Sequence, residues 1–148
     1  MKRVIVMTKG FKELQAKLFD ISYINHGGCA FAGIALYDYL IKKGIDAKLI
    51  FGYVRPKDNE FIHNKREIRK GGSGIKACDH VFVKVGERFF DCTGEFTKDK
   101  WKSNKYKGQL QVTREQAIDS LKCPMWFFQF NRTEYLPILE KIIDYRFW

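Results

Sequence analysis

The chain has 148 residues, 45% of them hydrophobic and 16% aromatic, which is enough apolar mass for the core of one domain and too much for intrinsic disorder. Its 27 Lys and Arg against 17 Asp and Glu give a formal charge of +10, a balance that favours an acidic partner or substrate and says nothing about fold. No stretch has the length and apolarity of a membrane-crossing helix, and the apolar run Val4–Met7 is too short for a secretory signal, so the sequence predicts a cytoplasmic protein with reduced thiols and no membrane partner.

With no internal repeat and no Pro/Gly/Ser linker, residues 1–148 read as a single domain. Phe11, Leu14, Leu18 and Phe19 recur at helical spacing and predict an amphipathic helix over Lys9–Phe19. Asn25-His26-Gly27-Gly28 is a turn. It opens a second helix over Cys29–Lys43, with Phe31, Ile34, Ala35, Tyr37, Leu40 and Ile41 on a broad apolar face and Gly44 as its stop signal. Ala47–Val54, short, apolar and bounded by Asp46 and Arg55-Pro56, predicts a strand. Lys57–Ala77 is a long polar connection.

His80–Val85 and Arg88–Thr93 flank Gly86-Glu87, a Gly-X pair that signals a type II′ hairpin. Lys98–Lys107 reads as a basic loop. Thr113 and Gln116 have the spacing of a capping box at the start of a helix that stops before Pro124. Met125–Phe130 is an aromatic strand or loop, and Thr133–Asp144 is a terminal helix with Pro137 placed in its first turn. Helices around a small central sheet make an α+β layout.

Four cysteines, Cys29, Cys78, Cys92 and Cys123, contain no C-x-x-C pair, so neither a disulfide framework nor a zinc ribbon is written here. Cys29 stands apart because it follows two glycines at the first residue of an apolar helix. There the helix dipole and outward-pointing N–H groups favour a thiolate. The same N–H groups can hold the oxyanion formed when sulfur attacks a carbonyl. A Gly28 without a side chain lets substrate approach closely.

A thiol nucleophile also needs a base, and the base needs an orienting group. Counting back from Gly86-Glu87 sets Val85 opposite Arg88 and His80 opposite Thr93. Asp91 then becomes the diagonal neighbour of His80 on the same face, about 7–8 Å away between backbones. Val81, Val83, Val85, Phe90 and Cys92 fall on the other face. Cys29, His80 and Asp91 are thus a candidate catalytic triad. Asn25 and Gln15 are candidate second oxyanion donors, and His26 a candidate substrate contact.

Gly28-Cys29-Ala30-Phe31-Ala32, the helix ending Lys43-Gly44-Ile45-Asp46-Ala47 and the strand closing in Gly52-Tyr53 resemble the nucleophile segment of the transglutaminase-like superfamily. His80–Val85 and Phe90-Asp91-Cys92-Thr93 resemble its His and Asp strands. The resemblance covers about residues 26–94. Phe82 stands where members often carry Trp, and Cys92 where they often carry Pro. It implies a papain-like core, with a nucleophile helix packed on a small antiparallel sheet. It also implies Cys29 as nucleophile, His80 as base and then acid, Asp91 as the orienting residue, and no cofactor.

The expected activity is attack on an amide of a protein, peptide or other substrate through a thioester. Hydrolysis by a cysteine peptidase or amidase is favoured, for so short a chain, over transglutaminase-type transfer to an amine. Two other readings compete. A metal site from Cys29, Cys78, His80 and Cys92 lacks the close ligand pair such sites show. A non-catalytic basic module would bind an acidic protein, or nucleic acid through Trp101 and Tyr106 among the lysines of 98–107, although no nucleic-acid motif accompanies them and charge runs in loops are commonly just solvated.

Overall fold

The computed structural model describes residues 8–21, 24, 28–53, 80–97, 99, 108–122 and 132–140. The expectations for Asn25, His26, Cys78, Cys123, the connection 57–77, nearly all of the basic loop 98–107 and the aromatic run 125–130 lie outside these residues. Four helices, α1 (Lys9–Phe19), α2 (Cys29–Lys42), α3 (Arg114–Lys122) and α4 (Arg132–Glu140), accompany five strands. These are β1 (Lys48–Tyr53), β2 (His80–Val85), β3 (Arg88–Asp91), β4 (Gly94–Glu95) and β5 (Gly108–Val112). The strands form one antiparallel sheet in the order β4-β3-β2-β1-β5, so the α+β class holds.

Local chemistry sets the element ends. Thr8 caps α1 by accepting the Phe11 N–H at 3.2 Å. Helix α2 stops in a Schellman motif, with Gly44 N–H on Ile41 O at 3.0 Å and Ile45 N–H on Leu40 O at 2.9 Å. Gly44 supplies the positive φ of 76° that this motif requires. The capping box before α3 is reciprocal: Thr113 N–H donates to Gln116 Oε1 at 2.9 Å, and Gln116 N–H to Thr113 Oγ1 at 3.1 Å. Gly86, at φ 59°, turns β2 into β3 with Val85 facing Arg88, the positive angle a primed two-residue turn needs at its first position.

One face of the sheet carries all four helices. Val81, Val83, Val85, Phe90 and Cys92 are buried there with Leu49, Phe51 and Val112, against Phe11, Leu14 and Leu18 of α1, the apolar stripe of α2, Ala117 and Ile118 of α3 and Leu139 of α4. Each side chain of this size contributes about 1.5–3 kcal/mol by leaving water. Phe31 of α2 meets Tyr135 of α4 edge-on at 5.1 Å, and Arg114 of α3 bonds both Asp38 of α2 and the Leu139 carbonyl of α4. The opposite face holds a smaller cluster of Ile50, Phe82 and Phe96.

Three expectations are corrected. Strand β3 ends at Asp91, not Thr93, because Cys92 and Thr93 form a turn that brings β4 back onto it through the pairs Asp91↔Gly94 and Phe90↔Glu95. Strand β5 was not expected: Leu110 and Val112 turn to the helix face while Gln109 and Gln111 alternate with them, in pairs with β1. Pro137 is the sixth residue of α4 rather than part of its first turn, so the helix forgoes the N–H bond that position would make.

Candidate active site

The site begins with two helices docking on neighbouring strands. On α1, Phe11 packs edge-on against Phe90 of β3, with ring centroids 5.6 Å apart. Gln15, one turn further along the same face, reaches the next residue of that strand. Its Nε2 donates to the Asp91 carbonyl oxygen at 2.7 Å. Gln15 and Asp91 are the only buried polar or charged side chains among the described residues. Gln15, expected as an oxyanion donor, therefore has one amide N–H committed to the Asp91 backbone.

Asp91 is held at three points. Its Oδ1 accepts from the Thr93 N–H at 2.8 Å and from the Thr93 hydroxyl at 2.5 Å, the local bonding that lets an Asp close a tight turn. Its Oδ2 lies 2.8 Å from His80 Nε2. The carboxylate, with its side chain 5% exposed, therefore has each oxygen assigned, one to the turn and one to the imidazole.

The His80 ring is 15% exposed and sits between aromatic walls. It stacks on Phe96 with centroids 6.2 Å apart and planes 17° from parallel, and Phe82 lies tilted at 5.8 Å. Phe96, not singled out from the sequence, completes the wall that Phe82 begins. The Cys29 side chain hydrogen-bonds the same ring. Since Asp91 takes Nε2, the nitrogen that remains for the sulfur is Nδ1.

Burial acts on His80 most strongly and pushes its pKa down. The Asp91 hydrogen bond, the Cys29 hydrogen bond and the charges of both partners together outweigh it and raise the pKa to about 9. At neutral pH the ring is therefore an imidazolium, beside the Asp91 carboxylate and the Cys29 side chain. The interaction is mutual: a thiolate that stabilises the imidazolium is stabilised by it.

Cys29 is partly buried at the first residue of α2. Gly28 is the N-cap and contributes no side-chain cap. The first hydrogen bond of α2 runs from Ala32 N–H to Gly28 O at 3.0 Å, so the N–H groups of Cys29, Ala30 and Phe31 are directed out of the helix end. The structure brings together Cys29, His80, Asp91, Gln15 and Gly28, and adds Thr93 and Phe96. Asn25 and His26 lie outside the described residues. Among those residues no three His, Cys, Asp or Glu side chains converge as a metal site, and no helix is long and apolar enough to cross a membrane. Comparison with family models, curated proteins and solved structures finds no match to this chain.

Proposed function

We propose that this chain is a thiol enzyme built on a papain-like, transglutaminase-like core, which cleaves an amide bond through an acyl-thioester on Cys29. The observation that carries the reading is the single His80 ring bonded by Cys29 on one side and Asp91 on the other. A structural histidine needs one partner. One placed between a helix-terminal thiol and a buried carboxylate has the wiring of a nucleophile, base and orienting acid.

The Cys29 thiolate attacks the amide carbonyl, forming the S–C bond while the carbonyl π pair moves to oxygen. The outward N–H groups at the start of α2 face that oxyanion. Collapse of the tetrahedral adduct breaks the C–N bond, and the imidazolium gives its Nδ1 proton to the departing amine. Neutral His80 then takes a proton from water as the oxygen attacks the thioester. The second collapse returns the thiolate and releases the carboxylic acid product. Throughout, Asp91 keeps the other proton on Nε2, fixing the tautomer. Phe82 and Phe96 hold water away from the His80–Asp91 bond.

Iodoacetamide separates this reading from a binding module. Cys29 is expected to be alkylated at pH 6.5 at least 100-fold faster than the buried Cys92, and His80→Ala to slow it by a similar factor. Equal rates at the two thiols of the folded protein, or indifference to His80→Ala, overturn the proposal. Peptide libraries with hydroxylamine as competing acceptor then report the acyl step directly. Hydroxamate products require Cys29, and the ratio of acid to hydroxamate measures how freely water competes with an amine.

A further inference from the structure

Helix α2 has a glycine at its fifth residue, Gly33, among alanine, phenylalanine and isoleucine. In a helix interior glycine is about 0.8–1.0 kcal/mol worse than alanine, so propensity does not account for it. Its surroundings do. A Cβ built on Gly33 would stand 2.8 Å from Val81 Cγ1, 3.2 Å from the Val81 carbonyl oxygen and 3.3 Å from the Val81 carbonyl carbon. Helix α2 therefore rests almost directly on the backbone of β2 at this point.

The Val81 side chain can yield only by leaving a χ1 well that β-branching makes stiff. Its carbonyl belongs to a strand paired with Phe51 of β1 and cannot turn aside without breaking the ladder. A real Cβ essentially never comes within 3.0 Å of another heavy atom and seldom within 3.4 Å, so a side chain at this position presses on Val81 and lifts the helix from the strand by a few tenths of an ångström.

The contact lies next to the reactive pair. Cys29 is four residues before Gly33, one turn along the same helix face, about 6 Å in axial rise. His80 is the residue before Val81, about 3.3 Å along the strand. We propose that Gly33 is a positioning residue that sets the distance between the Cys29 sulfur and the His80 ring by allowing α2 to seat on the Val81 backbone. This rests on the thiol-enzyme reading and adds to it the element that fixes the spacing. Gly33 touches no substrate; it acts through the separation of helix and strand.

The test is Gly33→Ala, read by the pH profile of Cys29 alkylation alongside thermal unfolding. A displacement of 1 Å costs a pre-aligned pair on the order of 100-fold, and about half of that here corresponds to roughly a tenfold loss of alkylation rate at pH 6.5. The profile should also move toward that of an ordinary thiol near pH 8.5. Val81→Ala in the Gly33→Ala background removes the Cγ1 clash but not the carbonyl contact, and should restore part of the rate. If Gly33→Ala alone does not fold, the double variant carries the test, with a rate between wild type and His80→Ala. A folded variant that is less stable but keeps the wild-type profile makes Gly33 mere packing and overturns the proposal. If the wild-type profile is itself that of an ordinary thiol, the thiol-enzyme reading fails first and independently.

Discussion

Replacing Asp91 with Asn probes the site at its most constrained atom pair. The substitution keeps size and shape but turns one acceptor end into a donor, and the two ends face different partners. Oδ1 receives the Thr93 N–H at 2.8 Å, and Oδ2 faces His80 Nε2 at 2.8 Å. An amide that keeps its oxygen on Thr93 must aim Nδ2 at the Nε2–H of an imidazolium. Flipped, it aims Nδ2 at the Thr93 N–H. The Thr93 hydroxyl can rotate to accept, but a backbone N–H cannot.

Either orientation buries one donor against another, at about 1–3 kcal/mol, and the only escape is loss of the proton from Nε2. At about 1.4 kcal/mol per pKa unit, His80 should fall from about 9 by roughly one to two units, and further for the lost carboxylate charge. It should also become a neutral ring protonated on Nδ1, the nitrogen that has to receive a proton from the thiol. Nitrogen-15 spectra of histidine-labelled protein report both titration and tautomer, with the three histidines assigned by difference from His80→Ala. Alkylation of Cys29 at pH 6.5 should drop by about 10- to 100-fold. A His80 that still titrates near 9 with its proton on Nε2 in Asp91→Asn would refute the argument that Thr93 fixes the carboxylate.

The remaining predictions use other contacts. Because the folded pKa of His80, about 9, exceeds the unfolded value near 6.5, the stabilisation it brings is complete below pH 6.5 and is lost as pH rises toward 9. The melting temperature should fall across that window, and Cys29→Ser should narrow the window from above. Gln15→Leu removes the donor to the buried Asp91 carbonyl and should cost about 1–3 kcal/mol in denaturant unfolding, with a fall in Cys29 alkylation that Asp91→Asn already captures, so the two effects on rate should not add. Phe96→Ala opens one wall of the imidazole and should destabilise by about 3 kcal/mol; hydrogen–deuterium exchange at β3 and β4 reads it. Arg114→Ala breaks the tie of α3 to Asp38 and to the Leu139 carbonyl and should loosen α4 without changing the pH profile of Cys29.

What could be read from the sequence was local. Helix α1 and helix α2 announce themselves by apolar spacing, α2 also by Gly44 at its end, the hairpin by Gly86, and the start of α3 by Thr113 and Gln116. Each signal sits within a few residues of the structure it directs. His80 and Asp91 could be placed on one face because a two-residue turn fixes the register of everything behind it.

What escaped depends on distant partners. Gly108–Val112 offers only two apolar residues at alternate positions, and it becomes a strand because β1 presents an edge to it. Thr93 looked like the continuation of a strand, and only the return of β4 shows that it belongs to a turn closed on Asp91. Phe96 gains its importance from stacking on His80. Gln15 is aimed by the packing of Phe11 on Phe90, and nothing near it in the chain reports where its amide goes.

That reach bears on when the site can form. The Gln15–Asp91 bond spans 76 positions of chain, and Cys29 and His80 lie 51 positions apart. Closing such loops costs entropy before any contact compensates for it. On the proposed reading, a chain that has not yet closed these loops carries Cys29 apart from the His80 ring, with the reactivity of an ordinary thiol. The proposed nucleophile would then owe its reactivity to the folding transition itself.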